Sequence, residues 1–374
     1  MDKMHHDNFT TNDGCKIAFQ SSLSLNGLAG DSSHLTCVLL MHGFSGSSDY
    51  FTRNYGTLRE SVWVVAPDMR GHGRSDRTRG GYHVGRLASD LAALVQHIRK
   101  KAHGVQIVPV GCSIGAAVLW TYIELFGCSD FAGLVFVDQA PLQDRSSFDG
   151  WDHSLAHTGC YNEATMLEAQ RSWIEDSDAA HLDLVKGCLG YRHAPEAVDG
   201  VSAEQAAKDE IFFKEISALC DQTWLARLLA DHTRYDHREA IEMITVPTLV
   251  MAGRRSGCFP LEGMLETVRR VEKTTPGLAR SSVFESGHWL FYEEPERFNR
   301  EIIEFTNGCK GSRGSVLFAG SEALASGYIM QTVICNAGGP WYKLIVLVDI
   351  HATKGSRVEL TINETGMRHS INMT

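Results

Sequence analysis

The stretch Val105-Gln106-Ile107-Val108-Pro109-Val110-Gly111-Cys112-Ser113-Ile114-Gly115-Ala116-Ala117-Val118-Leu119-Trp120 decides the architecture. An apolar run of strand length ends at Gly111 and a helix-forming run opens at Ala116, so very few residues turn the chain from one to the other. G-x-S-x-G between a strand and a helix is the pattern of a nucleophile elbow. Its glycines admit a turn too sharp for side chains, and its serine is held in a strained conformation with Oγ above the sheet. Ser113 is therefore the candidate nucleophile, which needs a neighbouring base because a serine hydroxyl is inert near neutral pH. Cys112 is expected to point inward and to play no nucleophilic part.

Outward from this turn, apolar strand-length runs alternate with amphipathic helical stretches, which predicts a mostly parallel sheet covered on both faces. Towards the N-terminus, Lys16 to Leu23 reads as an early strand or hairpin arm. Thr36 to Met41 reads as a buried strand running into His42-Gly43-Phe44-Ser45-Gly46, and Val62 to Ala66 as the next strand, ended by Pro67-Asp68. Val84, Leu87, Leu91, Leu94, Val95 and Ile98 share one helical face. Towards the C-terminus, Leu134 to Val137 ends at Asp138. Sheet grammar returns at Val246 to Gly253, followed by a helix (Leu261 to Val271), a strand (Ser281 to Phe284), the loop Glu285-Ser286-Gly287-His288, and a helix introduced by Pro295.

Between Leu142 and Ile244 strand signals vanish. Helical stretches such as Ala164 to Ile174 and Ala203 to Leu229 take over, and the segment is too long for a bare loop. The expected organisation is a core in two parts, 1–141 and 246–307, a helical insertion over 142–245, and a C-terminal extension over 308–374. That extension turns β-rich from Tyr342 to Ile350; an added hairpin, a disordered tail and a segment foreign to the fold all stay open for it.

At 374 residues the chain can bury one large α/β core with an insertion. Hydrophobic residues at 43% and charged residues at 21% suit a globular enzyme. A net charge of −10 offers no basic face, which argues against nucleic acid and anionic membranes as partners. The ten cysteines form no C-x-x-C pair and read as reduced thiols. Met1 to Gly14 lacks the apolar centre of a signal peptide and no run spans a bilayer, so a cytoplasmic location is expected. No phosphate loop or dinucleotide fingerprint occurs, and no cofactor is expected. Asp231-His232, Asp236 and His237 match metal ligands by type but lack a paired motif, so no metal is assigned. The expected partner is a small-molecule substrate.

Four pieces, His42-Gly43-Phe44, Arg70-Gly71-His72-Gly73-Arg74-Ser75, Gly111-Cys112-Ser113-Ile114-Gly115 and Ser286-Gly287-His288, stand in an order and spacing that resembles the α/β-hydrolase superfamily. The resemblance covers about residues 10 to 307 and is nearest to the esterase and non-heme chloroperoxidase-like branch. It implies an α/β fold class, with a mostly parallel sheet flanked by helices and a helical cap inserted after the sixth strand. It also implies that His288 is the general base, that the backbone N–H groups of Ile114 and Phe44 form the oxyanion hole, and that His42 braces the oxyanion loop. For Ile114 the physics agrees, because a helix N-terminus favours developing negative charge.

The chain departs from the family's common pattern at the acid. The stretch that would carry it reads Gly253-Arg254-Arg255-Ser256-Gly257-Cys258-Phe259-Pro260, with Ser256 at the aspartate position. A hydroxyl cannot hold an imidazolium by charge. Asp138, ending the sixth strand, where haloalkane dehalogenases among others place their acid, is the expected carboxylate. A Ser–His dyad and a displaced carboxylate such as Glu285 are the alternatives. The charges of Asp68 to Asp76 are expected to brace one another, and Arg254-Arg255 to be a solvated pair. The aromatic residues of the insertion (Trp151, Trp173, Phe212, Phe213, Trp224, Tyr235) suggest an apolar, medium-sized acyl or alcohol group. The expected reaction is cleavage of a carboxylic ester or thioester through an acyl-enzyme. A lyase or perhydrolase on the same fold, and a non-catalytic ligand-binding protein, are the rivals.

Overall fold

In the computed structural model the strand-length runs become β2 (Lys16–Ser21), β3 (Thr36–Met41), β4 (Trp63–Pro67), β5 (Gln106–Cys112), β6 (Leu134–Val137), β7 (Thr248–Gly253) and β8 (Ala279–Phe284), preceded by β1 (His5–Thr10), a polar edge strand that carries no apolar signal. They form one sheet in the order β1-β2-β4-β3-β5-β6-β7-β8. The first two strands pair antiparallel, as do β2 and β4, and every other pairing is parallel. Every residue of β3 to β7 is buried. Strands covered on both faces have no polar side to show, so they read as continuous apolar runs.

Helices supply the cover: α1 (Tyr55–Leu58), α2 (Val84–Lys101) and α3 (Ile114–Phe126) precede β6, and α10 (Leu261–Thr274), α11 (Leu290–Glu293) and α12 (Pro295–Lys310) follow β7. The face of α2 buries the six apolar residues named from periodicity, and its last turn carries Arg99, Lys100 and Lys101, which suit the negative end of the dipole. Between β6 and β7 lies the helical insertion α4 (Glu163–Glu175), α5 (Ser177–Cys188), α6 (Gly190–His193), α7 (Ala203–Ala218), α8 (Gln222–Arg234) and α9 (Arg238–Glu242). The stretch expected as one helix from Ala203 to Leu229 is thus two. The break falls at Leu219 to Asp221, where the Asp221 carboxylate accepts the Trp224 N–H at 2.9 Å and caps a new helix.

The structure describes residues 4–28 and 30–310 and, further on, the backbone of five strands. The chain divides into two units, Met1–Asn307 and Gly308–Thr374. In the second, β9 (Leu317–Ala323), β10 (Tyr328–Cys335) and β11 (Tyr342–Asp349) form an antiparallel sheet in the order β11-β10-β9, and β12 (Arg357–Thr361) pairs antiparallel with β13 (Arg368–Asn372). Ile350, the last residue of the β-rich reading, lies outside the described residues.

The elbow explains its own glycines. A Cβ on Gly111 would stand 2.6 Å from the Gly115 backbone, and one on Gly115 would stand 2.8 Å from the Met41 carbonyl oxygen at the end of β3. Neither obstacle is the flexible end of a side chain, so neither can move aside. Gly115→Ala should cost about 1–3 kcal/mol through overpacking. Gly56→Ala, where a Cβ meets open space inside α1, should cost nothing or stabilise by up to about 1 kcal/mol. Urea unfolding of the two variants checks the contrast.

Candidate active site

Ser113 sits between β5 and α3 with φ 53° and ψ −124°. Left-handed backbone at a non-glycine residue is strained, and here the Ser113 N–H donates to Val137 O at 2.8 Å, anchoring the turn on the neighbouring strand. Asp138, at the tip of β6, has φ 48° and is anchored in the same way, its N–H donating to Met251 O at 2.8 Å. The two side chains therefore leave adjacent strand ends on the same edge of the sheet. Cys112 is buried under the elbow.

The Asp138 carboxylate is buried and fully engaged. Its Oδ1 accepts the His288 Nδ1–H at 2.5 Å and the Ser256 hydroxyl at 2.7 Å, and its Oδ2 accepts the Gly253 N–H at 2.6 Å. Burial pushes the carboxyl pKa up, and the His288 ring, the Gly253 N–H and the Ser256 hydroxyl oppose that rise. For His288, burial works against the imidazolium, while Cys258 and Asp138 favour it; the balance raises its pKa. With Nδ1 donating to Asp138, Nε2 is the nitrogen that can exchange a proton with the cavity, and it accepts one only when the ring is neutral. Glu285, the displaced-acid alternative, is exposed and pairs with Arg254 at 2.9 Å. Ser256 occupies the position where an acid was missed in the sequence, and it acts as a hydrogen-bond donor to the acid on the next strand.

Ser113, His288 and Phe44 line one small cavity of about 60 Å³. The Gly43 backbone approaches the elbow so closely that a Cβ there would lie 3.2 Å from Ser113 Cβ. The Ile114 N–H opens α3 and has no intrahelical acceptor. His42 holds the loop carrying Phe44: its Nε2 accepts the Met69 N–H at 2.9 Å, so Nδ1 must carry the proton and donates to Gly43 O at 2.8 Å. A second cavity of about 460 Å³ shares Phe44, His157, Leu184, Leu229 and Cys258 with the first and runs under α4 and α5 past Trp173, Glu168 and Asp183.

Several expectations are corrected here. Of the aromatic residues of the insertion, only Trp173 borders these cavities. Phe213 stacks on Trp289 at 3.6 Å and Trp224 packs against His72 and Tyr82, so they fill the core and carry no information about substrate. Arg255 is not solvated: its guanidinium forks onto Asp199 at 2.6 and 2.8 Å with both side chains 12% exposed, tying the insertion to the core. In the Asp68–Asp76 loop Asp68 and Arg74 do brace one another, the Arg74 N–H donating to the Asp68 carboxylate at 2.8 Å, whereas Arg70 is braced from outside the loop, by Asp90 at 2.5 Å and Asp13 at 2.9 Å. Asp231 caps α2 through the Val84 N–H, Asp236 pairs with Arg238 and His237 packs on Trp120, so these residues do not converge on a common point.

Sequence reasoning did not single out Gln143, His157, Cys188 or Cys258, which line the small cavity beside Ser113, and it weighed His232, a fifth residue there, only as a metal ligand. Gln143 Nε2 and His232 Nδ1 are buried with no hydrogen-bond partner among the described residues. Cys188, closing α5, places its Sγ 3.7 Å from that of Cys258. No local pattern marks these residues, because only the folding of the insertion over the strand ends brings them together.

A profile of the alpha/beta hydrolase family matches residues 38–301. The chain belongs to this family. A 2-(acetamidomethylene)succinate hydrolase of Mesorhizobium japonicum is 38% identical over 270 residues, 72% of this chain and 87% of that protein. A non-heme haloperoxidase of Rhodococcus erythropolis is 23% identical over 72% of this chain and 91% of its own length. Among solved structures, an esterase of Exiguobacterium antarcticum superposes with a TM-score of 0.66 at 20% identity, covering 81% of this chain and all of that one. The last likeness speaks for the α/β-hydrolase fold. Among the described residues no helix is long and apolar enough to cross a membrane.

Burial lowers the pKa of His42 to about 4 and that of His72 to about 3, against about 6.5 in the unfolded chain. Both rings are neutral in the folded state, so the unfolded chain binds more protons below pH 6.5. Their contribution is therefore present above about pH 6.5 and is lost as pH falls towards 4. His42 alone accounts for about 3 kcal/mol at the acid end of that window. The melting temperature should drop steeply between pH 6.5 and 4, and His42→Gln should flatten the drop.

Proposed function

We propose that this protein is a serine hydrolase that cleaves a carboxylic ester or thioester through an acyl-enzyme. The observation that carries the reading is the buried Asp138–His288 hydrogen bond of 2.5 Å beside a cavity that Ser113 also lines. In this reading His288 Nε2 takes the Ser113 proton as Oγ attacks the carbonyl carbon, and Asp138 fixes the ring and stabilises the imidazolium. The N–H groups of Ile114 and Phe44 face the oxyanion as the carbonyl becomes tetrahedral. His288 then returns the proton to the leaving alcohol or thiol, and a water molecule repeats the sequence to free the acid and Ser113. Gln143 and His232, with unmet polar atoms, offer the substrate a polar contact beyond its carbonyl.

A second reading has a specific observation behind it. The relative at 38% identity is named for 2-(acetamidomethylene)succinate, and the same residues suit attack on an acetamido carbonyl. Against carrying that substrate over, the residues lining both cavities include no lysine or arginine to pair two carboxylates, and the larger one presents Glu168 and Asp183.

Labelling with a fluorophosphonate probe tests the nucleophile. Wild type should be labelled and Ser113→Ala should not; a folded wild type that resists the label sinks the hydrolase reading and favours a ligand-binding protein. Turnover of p-nitrophenyl esters and acyl thioesters, compared with an acetamido substrate, separates the two hydrolytic readings. Asp138→Asn should lower kcat by about 10²–10⁴-fold with the fold intact. Ser256→Ala, which removes one of three hydrogen bonds to the carboxylate, should lower it less than about tenfold.

A further inference from the structure

We propose that Cys188, Cys258 and His288 form a binding site for a soft divalent cation of the zinc class, through which the metal shuts off the proposed general base. One ligand atom from each of the three residues lies within 4.8 Å of the other two, and all three residues are buried. The sulfur–sulfur distance is informative. Two thiolates each about 2.3 Å from a tetrahedral zinc ion stand about 3.8 Å apart, and Cys188 Sγ and Cys258 Sγ are 3.7 Å apart. A disulfide needs roughly 2.05 Å, so the pair already has the separation for a shared metal and would have to close substantially to bond to each other.

The third ligand is prepared as well. His288 gives Nδ1 to Asp138 at 2.5 Å, which leaves Nε2 to bind an ion in exchange for any proton it carries, the carboxylate–histidine–metal arrangement that orients an imidazole towards an ion. The three ligands come from three places in the fold, the end of α5, the loop after β7 and the loop after β8. An ion there would tie the helical insertion to the core. The fourth position faces the cavity, where His157 lies beside Cys258, and is open to His157 or water. On binding, the Cys188 and Cys258 sulfurs and His288 Nε2 give up the protons they carry to solvent, two sulfur–metal bonds and one nitrogen–metal bond form, and the ligands are left as two thiolates and a neutral imidazole. Two thiolates, one divalent cation and a neutral imidazole sum to zero charge, a combination that burial tolerates. With Nε2 on the metal, His288 has no lone pair for the Ser113 proton. This inhibition rests on the role proposed above for His288; the site itself does not.

The test uses the full chain freed of metal by a chelator and titrated with Cd²⁺, whose thiolate bonds give an ultraviolet charge-transfer band. One equivalent should saturate the band, Zn²⁺ should displace it, and Ser113→Ala should retain it. Cys188→Ala and Cys258→Ala, shown to be folded by circular dichroism, should each lose it, and Asp138→Asn should weaken binding about 10–100-fold. Zn²⁺ should slow fluorophosphonate labelling of wild type, reversibly with chelator, and should leave labelling of Cys188→Ala unslowed. Absence of the band in folded wild type, or a band of undiminished strength in the double variant Cys188→Ala/Cys258→Ala, overturns the site. A wild type that binds Cd²⁺ as described but takes no label without metal refutes the hydrolase reading and leaves the site standing.

Discussion

The close approach of α3 to the ends of β3 and β5 is the constraint on which the rest of the structure turns. Gly111 and Gly115 stand so near to backbone that no side chain fits at either position. Ser113, caught between them, is forced to φ 53°. Strain of this kind costs of order 1–3 kcal/mol, and it persists because the surrounding sheet over-determines it. The Ser113 N–H is fixed on β6, and the Asp138 N–H, at the second strained residue, is fixed on β7. Each strained strand end is thus held by the next strand, and the side chains of Ser113 and Asp138 leave adjacent strand ends on buried backbone.

The electrostatics follow from that position. A carboxylate as buried as Asp138 is tolerated only when its lone pairs are met, and they are met by a ring N–H, a hydroxyl and a backbone N–H. Ser256 is the informative partner. It stands where the family's common pattern has an aspartate, and its hydroxyl now points back to the carboxylate one strand away. The loops after β6 and β7 therefore share one carboxylate between them. Around it the insertion places Cys188, His157 and His232, and the loop after β7 places Cys258, at the end of the cavity beside Ser113. The larger cavity, by contrast, is flanked by the carboxylates of Glu168 and Asp183.

Legibility in the sequence tracked how local the physics is. The central strands were readable because burial on both faces leaves an unbroken apolar run, and the face of α2 because a helix repeats every 3.6 residues. The stretch from Ala203 to Leu229 misled because no glycine or proline marks a break at Leu219 to Asp221; the capping hydrogen bond of Asp221 divides it. Arg255 misled for a different reason. Two adjacent arginines look solvated in sequence, yet one of them meets Asp199 of the insertion, a partner more than fifty residues away.

By itself, then, the sequence determined the alternation of strand and helix, the glycine-flanked turn at Ser113 and the insertion between the sixth and seventh strands. Each of these depends on neighbours within a few residues, through steric room at the turn or through apolar periodicity. The tertiary structure decided that Asp138 rather than Glu285 meets His288, that Phe213 and Trp224 of the insertion serve the core while Trp173 borders the larger cavity, and that Gln143, His157, His232, Cys188 and Cys258 gather beside Ser113. Those outcomes depend on which strand ends lie side by side and on how the insertion folds back over them. Spacing along the chain carries no record of either.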